Sequence, residues 1–389
     1  MEGVIEAEGD LGYNIAMKLL IVAGGGGHFS PALSVIEKLP KDWDVLVVGR
    51  KYVFEGDQSF SLEYQTAMKL DIPFKPLTTG RLQRKFTRYT INSLFKIPVG
   101  LTQATAILTK YKPDVVLSFG GYVSVPVALA AFILRIPIVI HEQTLEAGVA
   151  NKLVAKFARK ICISWEQSGK FFPASKLVLT GNPLRKEFIK GANRAERTTK
   201  FPVLYITGGS SGSHAINILI EGILEKLLEK YYVIHQAGDA GQYKDFERLT
   251  KLQSSFSKEL SERYILSKFV EPAKVSDYLN LADLVIARSG MNTVTELICF
   301  GNPAILIPLP YGQHQEQLKN AQFIKDLGLA EIAEQNVLTP EKLYLKIQHM
   351  FDNMDMYKKN APAAQELIDI NAAEKIIEVI KHAGDKKKA

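Results

Sequence analysis

The sequence predicts an α/β protein built from two Rossmann-like domains, whose parallel sheets face each other across a cleft. Short apolar runs alternate with amphipathic helical patterns along most of the chain, which is typical of parallel sheets covered by helices on both faces. Two glycine-rich turns, at residues 24–27 and 208–212, each follow a strand pattern and precede a helix pattern. With 389 residues, the chain is also too long for one ordinary core.

The expected strands are short, apolar and spread over both halves of the chain. The first half contains them at residues 19–23, 45–48, 115–118, 138–140 and 178–179. The second half contains them at residues 203–207, 232–236, 284–287 and 304–307. Helices are expected between these strands, for example at residues 31–39 and 215–228. Since ligands bind at the carboxyl ends of strands in such sheets, the glycine-rich turns are expected to face the cleft.

The pattern of strand, glycine-rich turn and helix occurs twice, and this repetition gives the expected domain boundaries. The first domain is predicted at residues 17–181 and the second at residues 182–361. A final helix at residues 362–385 is expected to pack back on the first domain. Residues 1–16 are acidic and are expected to form a disordered extension, with Met17 as the expected true start.

Several common functions are excluded by the glycine patterns. A dinucleotide fingerprint GxGxxG would need a glycine at Phe29 or Ser30, and Gly49-Arg50 ends the second strand where an acidic residue is expected. No GxxxxGK[ST] motif occurs, so a P-loop NTPase is excluded. The two cysteines, Cys162 and Cys299, suggest neither a disulfide framework nor a metal cluster.

Positive charge is concentrated in one part of the first half. Residues 75–112 contain eight basic residues and no acidic one, within a net charge of +7 for the chain. Basic and apolar side chains interleave in residues 81–98, which favours an anionic membrane surface over a plain solvated helix face. No nucleic-acid-binding module is recognisable, so nucleic acid is not an expected partner. The expected membrane-contact residues are Arg81, Arg84, Lys85, Phe86, Arg88 and Phe95. The longest apolar stretch, residues 123–140, is interrupted by Pro126, Arg135 and Pro137, so no membrane-spanning helix is predicted.

Seven motifs in register give the chain its most specific signal. They are GGGGHFSPALSV, SFGGYVSVPVALAA, HEQTLEAGVANK, TGNPLR, TGGSSGS, RSGMNTVTEL and HQEQLKNA, and they extend from residue 19 to about residue 321. In this order the motifs resemble those of the MurG family of glycosyltransferases. The resemblance implies the GT-B architecture and inverting transfer of GlcNAc from UDP-GlcNAc to the C4 hydroxyl of MurNAc in lipid I, which forms lipid II in peptidoglycan synthesis.

The resemblance also implies partners and a location. The expected partners are UDP-GlcNAc, a lipid-linked acceptor, an anionic membrane surface and a cell-wall synthesis complex. The expected location is the cytoplasmic face of the cell membrane, with peripheral attachment. No cofactor is implied, and no Asp-x-Asp pair lies where a metal-bound diphosphate would require it, so a metal is not indicated.

The resemblance places the catalytic and acceptor-side residues around the first domain's turns. His28 and Glu142 are the two candidate bases, since an imidazole or a carboxylate with a raised pKa in a dry cleft can take a proton. Gly25, Tyr122 and His141 are expected on the acceptor side. A lone histidine is more often structural than catalytic. The motifs at residues 120–122 and 141–143 can likewise be interpreted as ordinary loop residues.

The donor-binding residues implied by the resemblance lie mostly in the second domain. They are Gly26, Gly27, Thr144, Asn151, Arg185, Ser210, Val270, Met291, Asn292, Thr293, Glu296 and Gln317. Glu296 is expected on the ribose hydroxyls, although Thr293-x-x-Glu296 also fits a helix capping box. Gln317 is expected on the donor sugar, with Gln315 as the competitor because the HQEQLKNA register can shift by two.

Two departures from the family pattern leave other functions open. The first turn is one residue shorter than the usual AGGTGGH and lacks its threonine, and Thr144 stands where an asparagine is usual. A related transferase acting on another polyprenyl-diphosphate or glycerolipid therefore remains an alternative. So do a UDP-GlcNAc 2-epimerase and a non-catalytic UDP-sugar-binding protein.

Overall fold

The computed structural model of the chain describes residues 17–52, 59–80, 88–191, 199–209, 211–239, 243–311 and 315–385. Within helix residues 88–97 it describes the backbone but not the side chains. Two parallel sheets organise these residues into an α/β architecture, and each sheet has helices on both faces. This arrangement confirms the predicted fold class.

The first sheet has seven parallel strands in the order β3-β2-β1-β4-β5-β6-β7. The strands are β1 (Met17–Val22), β2 (Trp43–Gly49), β3 (Phe74–Pro76), β4 (Val115–Ser118), β5 (Ile138–Glu142), β6 (Lys160–Ile163) and β7 (Leu177–Leu179). Side chains alternate along β1, so Leu19 and Ile21 pack into one apolar layer while Leu20 and Val22 pack into the other. The sheet is therefore buried on both faces.

The second sheet has six strands in the order β10-β9-β8-β11-β12-β13. They are β8 (Val203–Thr207), β9 (Tyr232–Gln236), β10 (Tyr264–Ser267), β11 (Leu284–Ala287), β12 (Ala304–Leu306) and β13 (Ala330–Ile332). In both sheets the strand order reverses beside the first strand of the domain. Such a switch point opens a crevice at the carboxyl ends of the strands.

Helices cover the first sheet on both sides. They are α1 (Gly26–Ile36), α2 (Leu62–Lys69), α3 (Arg88–Tyr111), α4 (Ser124–Ile133) and α5 (Val149–Val154), followed by α6 (Lys186–Gly191) at the crossing to the second domain. Helix α1 begins inside the glycine run, five residues before the predicted start at residue 31. Gly26, Gly27 and His28 are therefore helical residues rather than loop residues.

The second sheet is covered by a larger set of helices. They are α7 (His214–Glu221), α8 (Leu224–Lys230), α9 (Asp245–Gln253), α10 (Lys258–Glu262), α11 (Pro272–Leu281), α12 (Met291–Phe300), α13 (Glu316–Asp326), α14 (Pro340–Asp352) and α15 (Met354–Gln365). The single helix predicted at residues 215–228 is interrupted near Gly222, so α7 and α8 are separate. Within the part of the chain that is described, no helix is both long and apolar enough to cross a bilayer.

The last helix, α16 (Ala372–Gly384), returns to the first domain. Its side chains Ile376, Ile377 and Ile380 are buried in the same apolar layer as Leu19 and Ile21 of β1. The predicted helix at residues 362–385 differs from the structure at its start. Residues up to Gln365 belong to α15, whose Ala361 and Ala364 pack on the second domain, and helix resumes at Ala372. The chain thus crosses between the domains twice.

Candidate active site

A cavity of about 930 Å³ lies between the two domains. The first domain contributes residues of α1 and α2, and the second contributes the starts of α12 and α13 and the loops after β8 and β10. Of the predicted site residues, the cavity is lined by Gly26, Gly27, Arg185, Val270, Met291, Asn292, Thr293 and Glu296. The two glycine-rich turns of the sequence therefore contribute to one cleft.

The first glycine turn packs backbone against backbone on the turn that follows β4. A Cβ atom on Gly24 would lie 2.7 Å from a methyl of Val123, and one on Gly121 would lie 2.7 Å from the Cα of Gly24. Gly25, expected on the acceptor side, is the N-cap of α1 with φ of 118°, in the region that only glycine enters freely. The close contact holds the start of α1 at the wall of the cleft.

His28 sits in the first turn of α1 and is half-buried. Its Nδ1 is buried and has no hydrogen-bond partner among the described residues. His28 itself does not line the cavity, whereas its neighbours Gly27 and Phe29 do. Burial lowers the pKa of His28, and the negative charge of Glu142 opposes this effect. A neutral imidazole with a free ring nitrogen is chemically suited to accept a proton.

Glu142, at the end of β5, is 2% exposed and holds its own loop together. Its Oε1 accepts hydrogen bonds from the backbone N–H and the hydroxyl of Thr144, at 3.1 and 2.8 Å. Its Oε2 accepts from the Gly148 N–H and the Asn151 amide, both at 3.0 Å. Thr144 and Asn151, predicted to contact the donor, thus point at Glu142 and do not line the cavity. This geometry suits a residue that shapes the loop.

His141 and Tyr122, both expected on the acceptor side, lie in the packed interior of the first domain. His141 is fully buried, with its Nε2 3.1 Å from the Gly181 carbonyl oxygen and 3.2 Å from the Ser164 hydroxyl. Burial lowers its pKa to about 4, so the ring is neutral. Tyr122 is half-buried and packs against the apolar layer between the first sheet and α3–α5. Neither residue lines the cavity.

Helix α12 presents its N-terminus and Glu296 to the cleft. Gly290 is the N-cap, so Thr293 is not a cap and the capping-box reading of Thr293 and Glu296 is wrong. The Glu296 carboxylate has no hydrogen bond or ion pair with any described residue. Burial raises its pKa to about 7, an effect that Arg185 opposes. A carboxylate left unpaired in a cleft is available to accept hydrogen bonds from ligand hydroxyls.

Arg185 places a positively charged guanidinium group at the cavity, where it can bind an anion. It lines the cavity, its guanidinium lies 5.5 Å from the ring of Phe188, and its buried Nε has no partner among the described residues. The N-termini of α1 and α12 open on the same cavity. Together these positive ends and the guanidinium suit a diphosphate.

The second glycine turn is tightly fixed behind the cavity. Gly209 lines the cavity with φ of 86° and nothing within 4 Å of where its Cβ would be. Gly212 lies against Gly238, where a Cβ would come 2.6 Å from the Gly238 Cα. Ser210, predicted to contact the phosphates, lies outside the described residues.

The start of α13 differs from the prediction in which residue faces the cleft. Gln317 does not line the cavity, because its Oε1 accepts a hydrogen bond from the Leu309 N–H at 3.0 Å. Gln315 is exposed and precedes the helix with φ of 55°. Glu316, which the motif register did not single out, lines the cavity, and burial and the nearby Glu142 raise its pKa. Only the register of the first helical turn distinguishes these three neighbours.

The predicted membrane patch is only partly within the structure. Arg81, Arg84, Lys85 and Phe86 lie outside the described residues, and the side chains of Arg88 and Phe95 in α3 are not described. Helix α3 packs against α4. Among the described residues, no three His, Cys, Asp or Glu side chains are grouped to hold a metal ion.

Comparison with known proteins places both domains in one family. Residues 19–163 match the glycosyltransferase family 28 N-terminal domain, and residues 203–380 match the glycosyltransferase family 28 C-terminal domain. Two similar relatives come from Bacillus thuringiensis subsp. konkukian and Lachnoclostridium phytofermentans. Each is 33% identical to this chain and covers 88% of it, with 94% and 93% of the relative covered. Both are named UDP-N-acetylglucosamine–N-acetylmuramyl-(pentapeptide) pyrophosphoryl-undecaprenol N-acetylglucosamine transferase, the first with the suffix 2.

Solved structures share the whole two-domain fold. MurG from Acinetobacter baumannii superposes with a TM-score of 0.67 at 26% identity, covering 94% of this chain and 99% of that one. A UDP-GlcNAc 2-epimerase from Neisseria meningitidis, bound to UDP-GlcNAc, gives a TM-score of 0.65 at 17% identity, covering 94% and 100% of the two chains. The second likeness concerns the fold alone.

Proposed function

The chain belongs to glycosyltransferase family 28 and to its MurG branch, and from this premise we propose how it acts. It is a GT-B hexosyltransferase that moves N-acetylglucosamine from UDP-GlcNAc to the C4 hydroxyl of N-acetylmuramic acid in undecaprenyl-diphosphate-linked lipid I. The product is lipid II, the precursor of peptidoglycan. The observation that supports this function best is the interdomain cavity, which joins an unpaired Glu296 to two helix N-termini.

The donor is proposed to bind mainly to the second domain. Glu296 accepts hydrogen bonds from the two ribose hydroxyls, and the backbone at Val270 contacts uracil. The diphosphate lies between the start of α12 and Arg185, where positive helix ends and a guanidinium oppose its charge. All of these residues line one cavity, which supports the placement.

The acceptor hydroxyl is proposed to lose its proton to His28. The hydroxyl oxygen then attacks C1 of the donor sugar, the bond from C1 to the diphosphate oxygen breaks, and UDP leaves with that electron pair. One displacement inverts C1 and gives a β-1,4 linkage. His28 fits the role of base because its ring is neutral and its Nδ1 is unpaired among the described residues. Glu142 has four hydrogen-bond donors on its oxygens, so we assign it to shaping the adjacent loop.

The leaving UDP is proposed to be stabilised by fixed dipoles. Helix α12 aims its free N–H groups at the cavity, and Arg185 adds a full charge at its edge. Such preoriented groups need no reorganisation as negative charge develops on the diphosphate.

The membrane surface is proposed to lie on the side of the first domain formed by α3, α4 and α5. Phe132 and Ile133 at the end of α4 are 55% and 62% exposed, and Val149 of α5 is 54% exposed. Phe132 contacts Phe157 at 4.9 Å between ring centroids, so the apolar residues are continuous. Lys152 and Lys156 flank them, and α3, which follows the basic stretch, packs on α4. Exposed apolar side chains together with nearby lysines suit the cytoplasmic face of an anionic membrane.

The decisive experiment is a radiolabel transfer assay. Purified protein is incubated in detergent with radiolabelled UDP-GlcNAc and either a lipid I analogue or polyprenyl-diphosphate-GlcNAc. Transfer to lipid I is expected, with loss of about 10²–10⁴-fold in kcat for His28→Ala. His382→Ala, in the exposed last turn of α16, is the matched control and should retain activity.

Two results would contradict the proposal. Label that moves only to the second lipid would overturn the peptidoglycan assignment while leaving the donor and fold intact. Loss of UDP-GlcNAc binding in His28→Ala, with an unchanged rate at saturating donor, would remove His28 from the role of base.

A further inference from the structure

One hydrogen bond crosses the cleft beside the proposed base. The amide Nδ2 of Asn292, in the first turn of α12, donates to the carbonyl oxygen of Gly27 at 3.0 Å. Gly27 lies in the first turn of α1 and directly precedes His28. The donor helix of the second domain is thus bonded to the backbone that positions the proposed base.

The other end of the same carboxamide faces the segment that joins the domains. The Asn292 Oδ1 lies 3.5 Å from Nδ2 of Asn182, which donates a shorter bond of 2.9 Å to the hydroxyl of Thr295. Asn182 follows β7 and is 5% exposed. A line of polar contacts therefore extends from the interdomain segment, through the start of α12, to the glycine turn.

Glu296 is four residues beyond Asn292, so the two side chains lie on the same face of α12. Both line the cavity. Asn292 therefore connects the helix that carries Glu296 to the Gly27 carbonyl. The bond reaches the first turn of α1, which begins at Gly26, and the bonded carbonyl belongs to the residue directly before His28.

We propose that Asn292 is a positioning residue whose carboxamide couples the donor-binding helix to the turn that presents His28. This inference rests on the proposed function and changes the expected role of Asn292 from a donor contact to a link between the domains. Binding of the donor and closure of the cleft then favour each other, because coupling between two sites is reciprocal.

Two other contacts across the cleft are ion pairs between side chains, whereas the bond from Asn292 reaches the backbone of Gly27. Lys69 and Glu271 form an ion pair of 2.7 Å, with side chains that are 67% and 60% exposed. Lys319 and Glu146 form one of 2.6 Å, with the lysine 47% exposed. Water and salt screen exposed ion pairs between lysine and glutamate, so each of them contributes little to holding the domains together. Neither pair involves the backbone of the first glycine turn.

The distance between the domains tests the link without any acceptor. Spin labels are placed on cysteines introduced as Lys41→Cys and Lys226→Cys, both exposed and one in each domain, while Cys162 and Cys299 are buried and stay unlabelled. UDP-GlcNAc is expected to narrow the distance distribution in the parent protein. In Asn292→Leu and Asn292→Asp the distribution should stay broad and shift to longer distances, more so in the aspartate variant, whose carboxylate faces the Gly27 carbonyl. Lys319→Met is the control and should close like the parent.

Kinetics separate a positioning role from a donor contact. In Asn292→Leu we expect kcat to fall about tenfold, the factor that one lost hydrogen bond can produce. Because the coupling is reciprocal, any loss of donor affinity should be accompanied by the loss of closure in the distance measurement. Unchanged distances together with a weakened UDP-GlcNAc affinity would overturn the inference and make Asn292 a donor contact. Failure of the parent protein to use lipid I would affect only the proposed function, because the distance measurement needs no acceptor.

Discussion

At the scale of one residue, Glu296 favours ligand binding but lowers the folding stability of the free protein. Its carboxylate has no partner among the described residues, and burial raises its pKa to about 7. The free protein therefore keeps a group whose charged form is unfavourable until a ligand supplies hydroxyl donors.

The affinity for UDP-GlcNAc should depend on pH through Glu296. The ionised carboxylate is the better acceptor, so affinity should fall about tenfold from pH 8 to pH 6, as the fraction ionised falls. Calorimetric titration with UDP-GlcNAc measures this directly, because the sugar diphosphate does not itself titrate in that range. Glu296→Gln should bind weakly at both pH values. A parent affinity that is flat across this range would contradict the assignment.

Glu296 should also lower the free energy of unfolding above neutral pH. Its pKa is raised from 4.5 to about 7, so the folded state binds a proton more tightly than the unfolded chain does. The cost is absent below pH 4.5, grows up to about pH 7 and is constant above it. The free energy of unfolding of Glu296→Gln should therefore exceed that of the parent protein by about 1–3 kcal/mol at pH 8 and equal it at pH 4. Urea unfolding at the two pH values gives the comparison, and equal differences at both would contradict it.

The sequence predicted individual site residues unevenly. Glu296, Arg185 and Met291 line the cavity as expected, because they follow strands or begin helices at the carboxyl edge of the sheet. Thr144 and Asn151 turn away from it to satisfy Glu142. Their polar side chains fit a sugar contact or a carboxylate contact equally well, and only the folded loop decides between the two.

At the scale of the element, the central strands were the most predictable. Strands β4, β8, β9 and β11 have the predicted bounds, since their residues are buried on both faces and form continuous apolar runs. Strand β6 was not predicted, although it lies inside the first sheet, and neither were the edge strands β3, β10 and β13. These three edge strands explain most of the failure. They are short and partly exposed, and they exist because a neighbouring strand offers free backbone groups. Helix α1 begins at Gly26 although glycine is a poor helix former, because packing on Gly121 fixes the turn.

The loop after β5 should lose stability when Thr144 loses its hydroxyl. That hydroxyl donates to Glu142 at 2.8 Å and lies 2.7 Å from the Glu146 carbonyl oxygen, and Thr144 is 6% exposed. Thr144→Val should lower the free energy of unfolding by about 1–2 kcal/mol, because a buried carboxylate then lacks one donor. Thr109→Val removes a hydroxyl from an exposed helix site and should change stability much less. Equal effects in thermal melts would show that Glu142 does not depend on this bond.

At the scale of the whole molecule, membrane binding should depend on one side of the first domain. Phe132→Asp combined with Ile133→Asp should reduce binding to vesicles containing anionic lipid at least about tenfold, with UDP-GlcNAc affinity unchanged. Leu345→Asp is the matched control, because Leu345 of α14 is 63% exposed on the second domain. A flotation assay distinguishes the variants. Equal loss in both would mean that exposed apolar residues bind vesicles without regard to position.

Helix α16 should be essential to the first domain although it follows the second. Ile380 is fully buried against the first sheet, so Ile380→Ala should cost about 2–5 kcal/mol in unfolding free energy. Leu345→Ala, at an exposed position, should cost less than about 0.5 kcal/mol. Urea denaturation measures both, and a similar midpoint for the two variants would contradict the role of α16.

The position of α16 has a consequence for how the chain is made. Domains generally fold as units while the ribosome is still synthesising the protein, the N-terminal one first. Here the apolar layer on this face of the first sheet is covered only in part, by α1 and α2, until Ile376, Ile377 and Ile380 have been translated and have left the exit tunnel. The first domain to emerge is therefore the last to be completed, and in the interval its partly open sheet face is a natural client for a chaperone.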